Sequence, residues 1–413
     1  MLYRKIAAGI VASLLLAAPA FAADTIKIGL IDPLSGTFAN VGEQGQRTLQ
    51  MLIEEINARG GVLGQRLELV VLDSKTNPQE ALLALQQLTD ANVHFFFQGN
   101  SSAVAGALTD AVAKHNERNP DNLILYFNYG AVDPALTNDR CSFWHFRFDA
   151  DANMKMAALT SYMATQRKIK KVYLINQDYS FGQATAKAAR EMLPKKRPDI
   201  QIVGDDLHPL GKVKDFAPYV AKIKASGADT VVTGNWGADL ALLVRAGKEA
   251  GLNVDYYTYY AGLAGAPGAI GEAGDGRVRQ VTHWFNNVGD TKSDAMVKEY
   301  RKRFPDSKDD FYWLDLKNAM DMLVAAMNET KSTDPVKVAK ALEGMKYKAF
   351  TGDIVMRADN HQILQPMYIS TLTKAGTPGA KYDVERTGMG FRSDGRVEAR
   401  DTTMATSCKM QRP

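Results

Sequence analysis

Near its start, the chain shows a pattern of apolar and polar positions that predicts a buried strand, a polar loop and a helix. The strand is marked by alternating apolar residues, Ile26, Ile28, Leu30 and Ile31. The loop after it contains small and polar residues, namely Asp32, Pro33, Ser35, Gly36 and Gly42. Apolar residues then recur at helical spacing at Leu49, Leu52, Ile53 and Ile56, and the pair Gly60-Gly61 ends the helix in a left-handed cap. Because such a unit places ligands beyond the carboxyl end of a parallel sheet, we expect the loop to form part of a binding site.

Strand and helix patterns continue to alternate along most of the chain. The first series predicts strands at 67–72, 93–97 and 123–127 and helices at 78–90 and 103–116. A second series predicts strands at 145–148, 171–176, 200–204, 230–234 and 254–259 and helices at 152–167, 183–193, 216–226 and 239–251. Successive units of this kind are typical of doubly wound parallel sheets. We therefore expect an α/β fold with two such lobes, which also suits a length of 413 residues.

The remaining residues contain too little strand pattern for a third sheet. They predict a strand at 279–285, helices at 294–304, 312–329 and 335–343, and two strands at 351–356 and 366–373. We expect the helices to pack on the first sheet and the last two strands to return to the second. The predicted lobe boundaries are 23–144 with 284–349 for lobe 1, 145–283 with 350–390 for lobe 2, and 391–413 for a C-terminal tail. The chain would then cross between lobes near 141–147, 278–285 and 349–353.

The first 22 residues have the features of a secretory signal peptide. Arg4-Lys5 is followed by an apolar run from Ile6 to Ala18, and Ala20-Phe21-Ala22 is a cleavage site of the A-x-A type. No Cys follows the cleavage site to accept a lipid anchor, and no later apolar run is long enough for a membrane span. The sequence thus predicts an exported protein that is free in solution, with its signal peptide removed near Ala22.

Two cysteines, Cys141 and Cys408, remain in a chain bound for an oxidising compartment. An even number there favours a disulfide, which would tie the C-terminal tail to the end of the first half of the chain. The alternative is a pair of buried free thiols.

Composition and motifs argue against nucleic-acid binding and against an enzyme. The formal net charge is +4, and the longest basic run is Lys195-Lys196-Arg197, which suits a solvated helix end. The chain has no GxGxxG after a strand, no phosphate-binding loop, no G-x-S-x-G nucleophile motif and no histidines at metal-ligand spacing. We expect no catalytic activity, no cofactor and no metal.

Several stretches in the right order resemble the type I periplasmic binding proteins, in particular the leucine/isoleucine/valine-binding receptors of ABC transporters. They are IKIGLIDPLSGTFANVGEQG, INARGGVLGQRLELVVLDSKTNPQEAL, GNSSAVAGAL, YGAVDPALT, NQDYSFGQ and GADTVVTGNWGADLALLVRAGKEAG. The resemblance implies two lobes joined by three crossovers, a ligand held in the cleft, and delivery of that ligand to an inner-membrane permease. We expect a monomer. A ligand sensor that signals to a partner protein is an alternative, although sensor ectodomains are usually tethered to a membrane.

The resemblance also implies which residues line the cleft. These are the loop from Phe38 to Val41, Ser101, Ser102, Tyr129, Gly130, Ala131, Val132, Tyr179, Asn235, Trp236 and the turn 259–262 that contains Tyr260. Ser101 and Ser102 open a helix after a strand, where hydroxyls and free N–H groups suit a carboxylate, although either could simply cap the helix. Tyr179 supplies a ring and a hydroxyl donor, or packs under its helix. Trp236 lies between glycines, where an exposed indole has little structural purpose.

In one respect the chain departs from the receptors of amino acids. Those receptors need a carboxylate for the ligand ammonium, in the loop after the last strand of the second lobe. Here that segment is Tyr256-Tyr257-Thr258-Tyr259-Tyr260-Ala261-Gly262, without an acid, and Asp178 and Asp239 are the nearby substitutes. Together with Trp236, Phe127 and Tyr129, this absence suggests an aromatic carboxylate without an amino group. A short keto or hydroxy acid, or a hydrophobic amino acid, is the alternative ligand.

Overall fold

The computed structural model describes residues 25–289 and 291–413, so the predicted signal peptide lies outside the described residues. The first sheet has five parallel strands, in the order β2-β1-β3-β4-β5. Its strands are β1 Ile26–Asp32, β2 Leu67–Asp73, β3 Phe95–Gln98, β4 Leu125–Asn128 and β5 His145–Arg147. Helices α1 Ala39–Ala58, α2 Pro78–Asp90 and α3 Ser102–Arg118 connect them. The order in which strands are added to the sheet reverses between β1 and β3, and at such a switch point parallel sheets bind ligands.

Helix α1 begins about ten residues before the apolar repeat that predicts it. Gly42 lies inside the helix, and a Cβ on it would come within 1.9 Å of the carbonyl oxygen of Pro33. Glycine is therefore required for the first turn of α1 to pack on the preceding loop, although in the sequence it resembles a loop residue. The predicted end of the helix is confirmed, because Gly60 and Gly61 both have positive φ and the Gly61 N–H donates to the carbonyl of Ile56 at 3.0 Å.

The second sheet has seven strands in the order β15-β14-β10-β9-β8-β6-β7. Five of them are parallel, and the last two are antiparallel at one edge. The strands are β6 Lys171–Gln177, β7 Gln201–His208, β8 Thr230–Trp236, β9 Asp255–Tyr260, β10 Val278–Thr282, β14 Met367–Lys374 and β15 Met389–Val397. The helices that accompany them are α4 Ala152–Thr165, α5 Ser180–Lys196, α6 Ala217–Ser226, α7 Gly237–Glu249 and the short α8 Ala266–Ile270.

A third group of elements packs with the first sheet. It comprises α9 Thr291–Arg303, α10 Leu314–Thr330, α11 Pro335–Leu342 and a small sheet of β11 Lys346–Ala349, β12 Gly352–Met356 and β13 Ile363–Leu364. A bridge between Arg147 and Gln362 joins the small sheet to β5. The N-terminus of α11 is capped by Asp334, whose Oδ1 accepts the N–H of Lys337 at 2.9 Å. Lobe 1 denotes this group with the first sheet, and lobe 2 denotes the second sheet with its helices.

Strand pairing differs from the sequence-based expectation in three places. Strand β5, predicted to open lobe 2, pairs with β4 in the first sheet. The segment predicted as a strand at 351–356 forms β12 of the small sheet instead of returning to lobe 2, because the bridge through Gln362 holds that sheet beside β5. Residues 391–397, predicted as tail, belong to β15, whose pairing with β14 completes the second sheet. The lobes are consequently connected by residues 148–151, 283–289 and 365–366.

A buried polar cluster ties the three connections together. Asp149, on the first connection, accepts a hydrogen bond from Lys155 Nζ at 2.8 Å and lies 3.0 Å from His283 Nε2, on the second. His283 Nδ1 lies 3.0 Å from the carbonyl oxygen of Pro366, on the third. Burial alone would raise the pKa of Asp149, but Lys155 and His283 outweigh it and lower that pKa. The Asp149–Lys155 ion pair and His283 therefore hold the three connections between the lobes together.

The same cluster has the spacing of a metal site, which the sequence did not indicate. Possible ligand atoms of Asp149, His283 and Asp315 lie within 4.8 Å of one another. The ammonium of Lys155 already supplies the positive charge at Asp149, so a second cation there would be opposed by electrostatic repulsion.

The predicted disulfide is confirmed between Cys141 and Cys408. Its partners are 267 residues apart, and the tail around Cys408 lies along lobe 1. Thr406 donates to the carbonyl of Thr137 at 3.2 Å, and Arg412 pairs with Glu343 at 2.8 Å. None of the helices in the described ranges combines the length and apolar character that a membrane crossing requires.

Reduction of the disulfide is expected to lower the free energy of unfolding by about 2–4 kcal/mol, because the unfolded chain regains the freedom that the long closed loop removes. Denaturant unfolding of the oxidised protein, the reduced protein and the Cys141→Ser, Cys408→Ser double variant measures this difference. The reduced protein and the double variant should agree with each other. Equal unfolding free energies for all three would contradict the prediction.

Candidate functional site

A narrow cavity lies between the lobes at the carboxyl ends of both sheets. Lobe 1 contributes residues after β3 and β4 and one residue before α10, and lobe 2 contributes residues at the ends of β6, β8 and β9. The lining residues are Gly99, Asn100, Ser101, Ser102, Gly130, Ala131, Val132, Tyr179, Phe181, Trp236, Tyr260, Leu263 and Trp313. Both lobes thus meet around one small space at their switch points, where parallel sheets place ligands.

The lobe 1 side presents serine hydroxyls and a helix N-terminus. Ser101 precedes the first residue of α3, has φ of 81° and makes no side-chain cap, and its Oγ is buried without a hydrogen-bond partner among the described residues. A non-glycine residue in this backbone region is strained, and such strain concentrates at ligand sites. The Ser102 Oγ accepts the N–H of Asp133 at 3.2 Å, which leaves its own hydroxyl hydrogen free to donate. Neither serine caps α3, so the capping alternative does not hold for them.

The lobe 2 side presents aromatic walls. Trp236 Nε1 donates to the Tyr179 hydroxyl at 2.8 Å, which fixes both rings at the cavity. These two residues occupy the N-cap positions of α7 and α5 without capping either helix through their side chains. Burial raises the pKa of Tyr179, so its hydroxyl stays protonated and can donate a hydrogen bond. Trp236 is buried, not exposed as its glycine neighbours suggested, because it ends β8 and is covered by Phe38.

Tyr260 links the cavity to the cluster between the lobes. Its hydroxyl donates to Asp149 Oδ2 at 2.8 Å and lies 3.2 Å from the carbonyl oxygen of Gly130 in lobe 1. The ammonium of Lys155 lies 4.4 Å from the centre of the Tyr260 ring. The ring therefore forms a wall of the cavity while its hydroxyl is held by the charged cluster.

Eight residues predicted for the cleft line the cavity, namely Ser101, Ser102, Gly130, Ala131, Val132, Tyr179, Trp236 and Tyr260, and four predicted residues do not. Phe38 stacks on Trp236 across the lobes, with ring centres 4.1 Å apart, and so lies behind the cavity wall. Val41 faces the lobe 1 core from inside α1. The Tyr129 hydroxyl donates to Asp32, and Asn235 Oδ1 faces His208 Nε2 at 3.0 Å. Folding thus places these four side chains beside the cavity or in the core, where the Tyr129 hydroxyl and Asn235 Oδ1 face protein partners.

Phe127, counted with the aromatic residues that suggested an aromatic ligand, is also a core residue. It lies in β4 and stacks with Phe97 and Phe146, which occupy the same face of neighbouring strands. The aromatic residues that line the cavity without having been predicted are Phe181 and Trp313.

The sequence missed Phe181, Leu263 and Trp313 as lining residues. Trp313 lies before α10, its indole packs against the Tyr129 ring with centres 4.8 Å apart, and its Nε1 is buried without a partner among the described residues. Phe181 lies in the first turn of α5, two residues after Tyr179. The sequence signal for Phe181 and Trp313 is an aromatic residue at the start of a helix that follows a strand or a connection.

No acidic or basic side chain of the described ranges lines the cavity. Asp178 is exposed and accepts from Gln183 Nε2 at 2.9 Å. Asp239 accepts from Gln177 Nε2 and from the N–H of Gly211, both at 2.8 Å. Neither of the two acids suggested as substitutes therefore reaches the cavity, and its polar groups are hydroxyls, an indole N–H and backbone groups.

Comparisons with known proteins agree with this architecture. A family model described as periplasmic binding protein matches residues 25–377. A Leu/Ile/Val-binding protein homolog from Brucella melitensis is 31% identical over 401 residues, which cover 95% of this chain and 94% of that protein. The crystal structure of a leucine-, isoleucine-, valine-, threonine- and alanine-binding protein from Brucella ovis, in a closed conformation, has a TM-score of 0.83 and 30% identity, covering 95% of this chain and all of that chain.

A more distant structure has the same fold with a different kind of ligand. It is a solute-binding protein of an ABC transporter from Rhodopseudomonas palustris in complex with benzoate, with a TM-score of 0.78 and 19% identity over 94% of this chain and all of that chain. Proteins of the matched family are solute-binding receptors and not enzymes, and the family implies a periplasmic location. The chain therefore belongs to the type I periplasmic binding proteins, within the branched-chain amino acid receptor family that serves ABC transporters.

Proposed function

We propose that this receptor binds a small aromatic carboxylate between its lobes and delivers it to an inner-membrane ABC permease. The observation that carries the proposal is the composition of the cavity. Aromatic rings and hydrogen-bond donors line it, and no carboxylate of the described residues is present to pair with an ammonium. An unpaired ammonium in a closed cavity is unfavourable, so the cavity suits a carboxylate better than an α-amino acid.

The ligand carboxylate would bind at the start of α3. Ser101 Oγ lacks a partner within residues 25–289 and 291–413, and the Ser102 hydroxyl is free to donate. The N-terminus of α3 adds backbone N–H groups and the positive end of the helix dipole. These groups stabilise the negative charge of a carboxylate by hydrogen bonding and by the helix dipole, without a basic side chain. Ala131 and Gly130 leave room for the ligand to approach the backbone after β4.

The ring of the ligand would lie against Tyr179, Phe181 and Trp236 of lobe 2, with Trp313 opposite in lobe 1. Aromatic side chains supply large, rigid contact surfaces at low entropic cost. The enclosed space is about 20 Å³, enough for about one water molecule, so the lobes would have to separate slightly from this arrangement to admit a ring. Trp313 Nε1, which has no partner in the described part of the chain, can donate to a polar group of the ligand.

Binding and lobe closure would be coupled through contacts that involve both lobes. Phe38 of lobe 1 stacks on Trp236 of lobe 2, and Asn40 Nδ2 donates to the carbonyl of Ala264 at 2.5 Å. A ligand held by Ser102 on one side and Trp236 on the other stabilises the closed arrangement specifically. Only such differential binding can shift the balance between open and closed forms.

A hydrophobic amino acid is the second candidate, because relatives at 30–31% identity are named for leucine, isoleucine and valine. An amino acid would require an acid that enters the cavity only in its presence. The benzoate-bound Rhodopseudomonas palustris protein, by contrast, shows that this fold accommodates an aromatic acid.

A thermal-shift screen of the mature protein distinguishes the two candidates. The panel contains benzoate, 4-hydroxybenzoate, short aliphatic keto acids and the natural amino acids. A ligand that binds only the folded form raises the melting temperature by linkage. We expect benzoates to raise it and leucine and valine to leave it unchanged. A shift with the amino acids alone would contradict the proposed ligand class.

A further inference from the structure

We propose that Asp32 is a positioning residue for ligand binding, which holds the strained Ser101 backbone in the conformation that presents the start of α3 to the ligand carboxylate. Asp32 ends β1, beside the switch point, and does not line the cavity itself. The proposal depends on the proposed function only in that the ligand carboxylate binds at Ser101 and Ser102.

The contacts of Asp32 are concentrated on the loop that carries Ser101. Its Oδ1 accepts the side-chain amide of Asn100 at 3.0 Å, the backbone N–H of Asn100 at 3.1 Å and the backbone N–H of Gly99 at 3.3 Å. Its Oδ2 accepts the hydroxyl of Tyr129, which in turn accepts Asn100 Nδ2 at 3.3 Å. One carboxylate therefore fixes both residues before Ser101 and connects the ends of β1, β3 and β4.

The loop needs such an anchor because its backbone is unfavourable by itself. Ser101 has φ of 81°, a region that serine rarely adopts and that costs of the order of 1–3 kcal/mol. The hydrogen bonds to Asp32 lie immediately on its N-terminal side, and α3 begins on the other. Without the anchor, we expect the loop to relax and move Ser101 Oγ and the first N–H groups of α3 away from the ligand.

Among the described residues, these hydrogen bonds and no cationic side chain stabilise the charge of Asp32. No ion pair to Asp32 is present in the described part of the chain. The titratable groups that face it are Tyr126 of β4 and Tyr129, which follows β4. Burial and the charge of Asp32 raise the pKa of both hydroxyls, so both stay neutral. The residue of α1 that faces the Asp32 carboxylate is Gly45, which carries no charge; a Cβ on it would lie 3.6 Å from Asp32 Oδ2.

This environment makes the charge of Asp32 sensitive to pH. Burial raises its pKa to about 6, although the hydrogen bonds from Tyr129, Asn100 and Gly99 act in the opposite direction. A raised carboxyl pKa means that ionisation reduces stability as the pH rises from about 4 to about 6. Removing the charge should therefore not destabilise the fold at neutral pH, whereas it should weaken ligand binding. A purely structural role predicts the opposite pattern.

The test compares Asp32→Asn with Asp73→Asn. Asp73 occupies the paired position on β2, but its carboxylate accepts from Leu34 N–H and from the hydroxyl of Ser35, away from the cavity. Affinity for benzoate is measured by titration calorimetry at about pH 7.5 and about pH 5, and the melting temperature is measured in parallel. Benzoate remains largely ionised at both values.

We expect the Asp32→Asn variant to bind benzoate about tenfold more weakly than the wild type near pH 7.5, with an unchanged or higher melting temperature. The wild type should lose about fivefold in affinity between pH 7.5 and pH 5, since protonated Asp32 is expected to support binding about as weakly as Asn, and Asp32→Asn should show little of this loss. Asp73→Asn should keep the wild-type pH profile. Wild-type affinity in Asp32→Asn, or the same pH profile in both proteins, would overturn the proposal.

Failure of the ligand assignment is distinguishable from failure of this inference. If the wild type binds leucine and not benzoate, the same comparison is made with leucine, whose carboxylate would use the same serines. If it binds neither, amide hydrogen exchange of residues 99–102 in the ligand-free protein tests whether Asp32 anchors this loop. Faster exchange in Asp32→Asn than in Asp73→Asn supports the anchor, and equal rates overturn it.

Discussion

The Ser102→Ala, Trp236→Ala double variant is expected to lose measurable binding of the ligand while keeping its fold. Ser102 offers its hydroxyl to the ligand carboxylate from lobe 1, and Trp236 supplies an aromatic wall from lobe 2. A hydrogen bond to a charged group contributes about 1.5–3 kcal/mol, and a buried Trp at the centre of a contact at least about 2 kcal/mol. Their combined loss, about 4 kcal/mol or more, weakens binding roughly a thousandfold.

Titration calorimetry with the strongest ligand of the thermal-shift screen measures this loss, and circular dichroism checks the fold. The matched control is Ser142→Ala, Trp144→Ala, which removes the same atoms from lobe 1 without touching the cavity. The control should bind like the wild type. Retained affinity in the Ser102, Trp236 variant would refute the site assignment.

Asp149→Asn is expected to destabilise the protein by about 3–5 kcal/mol, because it leaves the ammonium of Lys155 buried without its counter-charge. Lys155 and Asp149 are each about 1% exposed, so water cannot replace the lost partner. The variant also removes the acceptor of the Tyr260 hydroxyl and the carboxylate beside His283. The loss should therefore appear both in unfolding free energy and in the rigidity of the connections between the lobes.

Denaturant unfolding monitored by circular dichroism measures the effect. The matched control is Asp110→Asn, which breaks an exposed pair with Arg140 at the same distance, 2.8 Å. Exposed pairs contribute about 0–1 kcal/mol, so the control should unfold almost like the wild type. If both variants lost the same small amount, the cluster would not hold the lobe connections.

The fold was largely predictable because its signals are local. Each parallel strand is a short apolar run between a helix and a turn, and such runs remain visible when their partner strands are unknown. Strand β5 shows the limit. Its pattern predicts a strand correctly, but the sheet that it joins depends on pairing with β4, which no local pattern contains.

The site was predictable where it depends on strand ends and failed where it depends on side-chain partners. Ser101, Ser102, Tyr179 and Trp236 follow or end strands and reach the cavity as expected. Tyr129 also follows a strand, yet its hydroxyl is taken by Asp32, an interaction between residues 97 positions apart. Trp313 enters the cavity only because α10 packs back on lobe 1 after the chain has passed through lobe 2.

Val41 was predicted to lie in a cleft loop because of the glycines that follow it, and this prediction is wrong. It faces the core at helical spacing, but Gly42 and Gly45 made this turn of α1 resemble a loop. Both glycines are there because a side chain would meet the Pro33 carbonyl or the Tyr129 hydroxyl. Glycines that are required by close packing in a helix can thus be mistaken for loop residues when only the sequence is known.

The most direct test of the central claim is a calorimetric comparison of leucine with 4-methylpentanoate, which differ only in the ammonium group. A matched pair of 3-phenylpropanoate and phenylalanine repeats the comparison with an aromatic ring. With no acid in the cavity among the described residues, the acid without an ammonium should bind at least about tenfold more tightly in each pair. Tighter binding of leucine or phenylalanine would show that a carboxylate reaches the ammonium, and would contradict the proposed ligand class.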